Sequence, residues 1–150
     1  MTSMSAVNDF LSNKKLAVVG VSRSGKKFGN SVYREMKAKG YEMYPVNPNT
    51  NEIEGDKCYP DLESLPDDVK GAVIVVPPAE AENLIESASK KGINHIWLQQ
   101  GAHSQKAVEL CEHKGINYVS GECIFMFAEP VNGGHKFHRW IWKLIGKYPK

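Results

Sequence analysis

The 150 residues include only three cysteines, Cys58, Cys111 and Cys123. That number is too small, and odd, for a disulfide framework. A reducing cytoplasm is the simplest setting for such a chain. Long hydrophobic runs are also missing. The strongly apolar stretches reach about five residues, against the roughly 20 that span a bilayer. The opening MTSMSAVNDF has neither a basic stretch nor an apolar core, so it is not expected to act as a signal peptide. Charge of one sign is lacking over most of the chain. Five of the 19 Lys and Arg residues fall in 135–150, which holds no acid. The other 134 residues carry 14 basic and 17 acidic groups. By composition the body is not a nucleic-acid-binding surface.

What is present is ordinary for a globular domain: 41% hydrophobic and 24% charged residues. Those values exclude a disordered chain, a collagen and a coiled coil. The length predicts one domain over 1–150, large enough to bury roughly 70% of its unfolded surface.

Short apolar runs alternate with helical segments. Residues 16–20 (LAVVG), 43–46, 72–76 (AVIVV), 96–98 and 118–119 read as strands. The first and third are continuous apolar runs rich in β-branched residues, as expected of strands covered on both faces. Ala81, Leu84, Ile85 and Ala88 form one helical stripe. Ala107, Leu110 and Cys111 form another after Ser104, a candidate N-cap. Val32 and Met36 mark a weaker one. Three helix ends repeat: Lys39-Gly40-Tyr41, Lys91-Gly92-Ile93 and Lys114-Gly115-Ile116. Lys complements the helix dipole and Gly supplies the left-handed cap. The stretch 47–70 reads as an insertion with a short helix. The pattern predicts an α/β Rossmann-like fold: a doubly wound parallel β-sheet of about five strands, with helices on both faces. Ligands of such sheets sit beyond the strand C-termini, at the switch point.

Those strand ends carry the functional signal. After the first comes Gly20-Val21-Ser22-Arg23-Ser24-Gly25-Lys26-Lys27-Phe28-Gly29. A glycine-rich turn entering a helix presents N–H groups to a phosphate, and Arg23, Lys26 and Lys27 add three cations. The turn is not a P-loop. It also departs from the dinucleotide fingerprint, reading G-x-S-x-x-G. A dinucleotide fold usually ends strand 2 in an acid that binds ribose. Here that strand ends Val46-Asn47-Pro48, with no carboxylate. After the third strand, Val76-Pro77-Pro78 forms a rigid wall without donors, or simply a strand stop. After the fourth comes Gln99-Gln100-Gly101-Ala102, whose amides can bond a polar ligand and whose glycine permits close approach. After the fifth, Gly121-Glu122-Cys123 places a thiol that would face the cleft.

Together these runs resemble a family. VGVSRSGKKFG (19–29), GYEMYPVNPNTNEIEGDKCYPDLESLP (40–66), VIVVPP (73–78), IWLQQGA (96–102) and GEC (121–123) are similar to the CoA-binding domain. That domain is related to the N-terminal domain of the succinyl-CoA synthetase alpha subunit, and the likeness is greatest to its stand-alone members. The resemblance covers about 14–127. It implies that Gly20, Val21, Ser22, Arg23, Lys26 and Lys27 hold the phosphates of coenzyme A. It further implies that Val46, Asn47 and Pro48 line the adenine and ribose region. Val76, Pro77 and Pro78 would then flank the nucleotide or pantetheine arm, with Gln100 and Gly101 at the cleft edge. The synthetase's second domain, with its phosphorylated histidine, has no counterpart here, and Asn49-Thr50-Asn51 replaces its glycine-rich stretch.

Other residues have two readings each. Cys123 is a small buried hydrophobe, or a thiol that joins the CoA thiol or senses redox state. Cys58 and Cys111 read as structural. His135 and His138 are spaced for one metal ion, but no third ligand accompanies them, so no metal site is expected. Phe137, Trp140, Ile141, Leu144 and Ile145 form a stripe interleaved with Lys136, Arg139, Lys143 and Lys147. That basic helix, about 135–147, packs on the domain or across a homodimer, or meets a membrane surface or an acidic partner. No catalytic residue emerges. The expected function is noncovalent binding of coenzyme A or acyl-CoA. The alternatives are an NAD(P)-binding oxidoreductase-like domain, an accessory subunit of an acyl-CoA ligase, and a structural dimer module.

Overall fold

The computed structural model describes residues 3–129. The expected C-terminal helix and the His135/His138 pair lie outside the described residues. The chain opens with helix α1, Met4–Leu11. The Ser3 hydroxyl accepts a bond from the Ala6 amide at 3.1 Å, satisfying one orphan donor of the first turn. The sequence-based expectation lacks this helix. Its signal is brief: a capping Ser, then Val7, Phe10 and Leu11 at i, i+3, i+4.

Strand β1, Lys15–Val19, leads through a loop to α2, Phe28–Ala38, and to β2, Glu42–Val46. The insertion then forms a small hairpin, β3 (Glu52–Ile53) and β4 (Asp56–Lys57). It holds no helix, contrary to expectation. Pro60 and Pro66 leave room only for a turn, closed by the Ser64 amide donating to Asp61 Oδ1 at 2.9 Å. The chain continues through β5 (Gly71–Ile74), α3 (Pro78–Lys91), β6 (His95–Gln99), α4 (Gln105–His113) and β7 (Asn117–Glu122), ending in a 3-10 turn, Ile124–Met126.

The five long strands form one parallel sheet in the order β2-β1-β5-β6-β7. The fold is the Rossmann-like α/β arrangement that the sequence predicts. Alternation along β1 divides the core. Leu16 and Val18 join the cluster under α1 and α2; Ala17 and Val19 join the one under α3 and α4. Ser104 caps α4 as expected, accepting from the Ala107 amide at 3.0 Å. Gly92 caps α3 in the left-handed region, φ 85°.

Trp97 closes the first cluster. Fully buried, it meets Phe10 edge-on at 5.4 Å and Phe127 at 5.9 Å. Its indole N–H donates to the Glu122 carbonyl at 3.0 Å. The helix α1 is therefore part of the core, not an appendage. Phe10→Ala should cost about 3–5 kcal/mol of stability, read by chemical denaturation. A loss below about 1 kcal/mol would show α1 undocked.

Candidate functional site

The chain leaves β2 on one side of β1 and returns as β5 on the other. This reversal opens a cleft between the C-terminal ends of β1 and β5. Two glycines set its floor. Gly20 has φ +112°, and a Cβ there would lie 2.1 Å from the Val75 carbonyl oxygen. A Cβ on Gly29 would lie 2.3 Å from the Gly20 carbonyl oxygen. Helix α2 thus begins pressed against the end of β1. Its N-cap, Lys27, makes no side-chain bond to the first turn; the Asn30 amide donates to the Lys27 carbonyl at 3.0 Å, and the Phe28 and Gly29 N–H groups are left for solvent or a ligand.

Buried amides hold the loop in place. Asn30 is fully buried. Its Nδ2 donates to the Ser22 carbonyl, and its Oδ1 accepts from the Ser22 amide, both at 2.9 Å. Asn47 Nδ2 donates to the Val21 carbonyl at 2.9 Å, and Asn47 Oδ1 accepts from the Asn49 amide at 2.7 Å. Arg34 donates to the Gly25 carbonyl at 3.3 Å and pairs with Glu54 at 2.9 Å. The β3–β4 hairpin thereby braces the loop. Asn30 and Arg34 escape a reading of strand ends because they lie inside α2. An asparagine one position after a close-packed glycine was the available signal.

The cleft encloses about 190 Å³. Eight of the fifteen sequence-predicted residues line it: Gly20, Val21, Lys27, Val46, Asn47, Pro48, Val76 and Pro77. Val19, Asn49, Val75 and Glu80 complete the lining. Seven predicted residues do not line it. The Ser22 hydroxyl bonds Ser24 at 2.8 Å. Arg23 and Lys26 are exposed on the loop. Pro78 starts α3, and Gln100 and Gly101 are exposed after β6. Cys123 does not face the cleft; it is buried in the cluster with Val21, Val32 and Phe125. Gln99 is also turned to structure, its Oε1 accepting from the Ile124 amide at 3.1 Å. Cys58 and Cys111 are buried, and burial pushes the Cys111 thiol up to about 12.

A larger groove, about 510 Å³, runs along β2. It lies toward the strand's N-terminal end, at Gly40–Tyr44, and its Lys37 and Asp56 pair with each other at 2.5 Å. The fold places ligands at the opposite strand ends, so the smaller cleft is the candidate site. A third groove, about 330 Å³, adjoins that cleft through the shared Pro48 and Asn49. Among the described residues, no group of His, Cys, Asp and Glu could hold a metal ion. None of the described helices is long and apolar enough to cross a membrane.

A family model described as a CoA binding domain matches residues 14–129. The chain is 28% identical over 127 residues to an ADP-forming acetate–CoA ligase of Methanocaldococcus jannaschii, covering 79% of this chain and 18% of the ligase. It is 27% identical over 134 residues to the alpha subunit of ADP-forming acetate–CoA ligase II of Pyrococcus furiosus, covering 82% of this chain and 29% of that subunit. The chain thus spans less than a third of the length of these relatives. A conserved hypothetical protein from Pyrococcus furiosus has a similar solved structure. It shows 41% identity and a TM-score of 0.71, covering 73% of this chain and 95% of that one.

One buried group beside the loop's support titrates unusually. Glu122 is 7% exposed, its Oε2 has no hydrogen-bond partner, and burial raises its carboxyl to about 7. Below about pH 4.5, both the folded and the unfolded chain hold this proton. Between there and about 7 only the folded chain does, so stability falls as pH rises through that window and levels off above it. Glu122→Gln should remove this fall and gain about 1–3 kcal/mol at pH 8. Denaturation series at pH 5 and pH 8 check it. Equal pH slopes for both proteins would contradict the assignment.

Proposed function

The chain belongs to the CoA-binding domain family, and from that membership we propose that its β1–β5 cleft binds coenzyme A or an acyl-CoA noncovalently, with no chemistry of its own. The observation that carries this reading is the open N-terminus of α2 at the switch point, beside Arg23, Lys26 and Lys27. None of these three makes an ion pair among the described residues. Helix dipole, the Phe28 and Gly29 N–H groups and cations without ion-pair partners among the described residues together favour an anion such as a phosphate. Ser22 belongs to the same turn.

A cleft of about 190 Å³ holds one segment of so long a ligand. Val46, Asn47 and Pro48 form one wall and Val76 and Pro77 the other, with few donors to compete for a flat ring. The adjoining groove at Asn49–Asn51 extends the nucleoside side. The arm would run outward past Pro78 toward Gln100 and Gly101. Cys123 would meet the CoA thiol only after local opening. The reading without chemistry rests on the lining itself, which includes no thiol, imidazole or hydroxyl side chain. The chain's buried free thiols, Cys58, Cys111 and Cys123, suit a reducing cytoplasm. A homodimer or an acidic partner would use the basic C-terminal segment.

A second reading, an accessory part of an acyl-CoA ligase, is favoured by the ligase relatives several times longer than this chain. It shares the CoA site and adds a partner that supplies the chemistry. An NAD(P) domain is disfavoured by the absence of an acid at the end of β2.

Calorimetric titration should show CoA binding, with NAD⁺ and NADP⁺ silent. Lys27→Met should weaken CoA about tenfold or more, because a charge-assisted phosphate contact is lost. Binding of a dinucleotide but not CoA would overturn the ligand assignment.

A further inference from the structure

Two helix N-termini point at the cleft, and they are finished differently. That of α2 has Lys27 as cap, with no side-chain cap bond, and follows the loop that carries Arg23 and Lys26. That of α3 begins with Pro77 as cap and Pro78 as first residue. Pro78 has no N–H to offer, and Glu80 stands in the first turn, where a carboxylate offsets the positive end of the helix. Glu80 is among the residues that line the cleft. The other acids of α3 are occupied: Glu82 bonds Ser104 at 3.0 Å and pairs with Lys106, and Glu86 pairs with Lys114 at 3.0 Å. Glu80 makes no side-chain hydrogen bond or ion pair among the described residues. A carboxylate accepts and does not donate, so its partner must bring an N–H or O–H.

We propose that Glu80 is the specificity-determining acceptor of the cleft. It takes a donor on the nucleoside portion of the ligand, a ribose hydroxyl or a ring amine, and so orients the ligand with its phosphates at α2. The inference rests on the CoA reading. The position is distinct from the end of β2, where a dinucleotide fold places its ribose-binding acid. Because α3's positive end is offset by its own residue, the site has a single cationic pole, at α2. A phosphorylated ligand can then enter in only one direction.

The test is titration of the wild type and Glu80→Gln with CoA, adenosine 3′,5′-bisphosphate and inorganic pyrophosphate. The substitution is on an exposed first-turn residue, and matched thermal unfolding confirms an intact fold. Glu80→Gln should weaken CoA and the bisphosphate about 5- to 30-fold and leave pyrophosphate within about twofold. The 2′-deoxy and 6-deamino forms of the bisphosphate separate the two donors. The form that lacks the bonded group should bind wild type and variant alike, as in a double-mutant cycle. If Glu80→Gln binds CoA as tightly or more tightly, with pyrophosphate gaining in step, Glu80 is only a repulsive charge and the inference fails while the CoA reading stands. If the wild type binds neither CoA nor the bisphosphate, the CoA reading fails first and the inference with it.

Discussion

A Cβ on Gly20 would lie 2.1 Å from the Val75 carbonyl oxygen, and one on Gly29 would lie 2.3 Å from the Gly20 carbonyl oxygen. The cleft exists because neither atom is there. Close approach of α2 to the end of β1 brings the helix's bare N-terminus to the switch point. Everything else at the site maintains that approach. Asn30 grips Ser22 by both backbone groups, Asn47 holds Val21, and Arg34 ties the loop to the hairpin. Polar groups that could have met a ligand are spent on backbone, so the loop's geometry is set before a ligand arrives. Preorganisation of this kind lowers the ordering cost of binding.

The same economy operates beyond the ends of β6 and β7, on the face that α1 and α2 cover. Gln99 fixes Ile124 and Trp97 fixes Glu122, which anchors the segment carrying Phe125. That ring packs edge-on against Phe28 at 5.4 Å, and Phe28 is the first residue of α2. The loop after β7 therefore supports the β1–α2 loop through an aromatic contact. Cys123, embedded in that support, acts as a small buried side chain.

The strands and the helix caps of α3 and α4 were legible because each has a strong local signal. The run AVIVV marks a covered strand, realised over Ala72–Ile74 with Val75 and Val76 beyond its end, and Lys-Gly-Ile marks a helix end three residues long. Gly20 and Lys27 were legible for the same reason. Three things were not. Helix α1 is held by long-range packing of Phe10 on Trp97, which no local pattern encodes. The hairpin at Glu54-Gly55 uses two positive φ values, 50° and 87°, without the Asn-Gly or Asp-Gly that usually announces such a turn. The side chains of Gln99, Cys123 and Glu80 follow from which way a strand or helix faces at its last or first turn. A β-bulge between Leu98 and Gln99 alters that facing locally, and a one-residue shift reverses it. The strand ends mark the loops that border the cleft but not which of their side chains point inward.

The most direct test of the account is to follow backbone amide resonances of the reduced protein through a titration with coenzyme A. The account predicts the largest shifts at Gly20–Gly29, at Asn47–Asn49 and at Val76–Glu80, with the α2 first-turn amides moving most. Shifts confined to the β2 groove at Lys37–Tyr44, or to the α1–β7 surface near Asn117, would place the ligand elsewhere and contradict it.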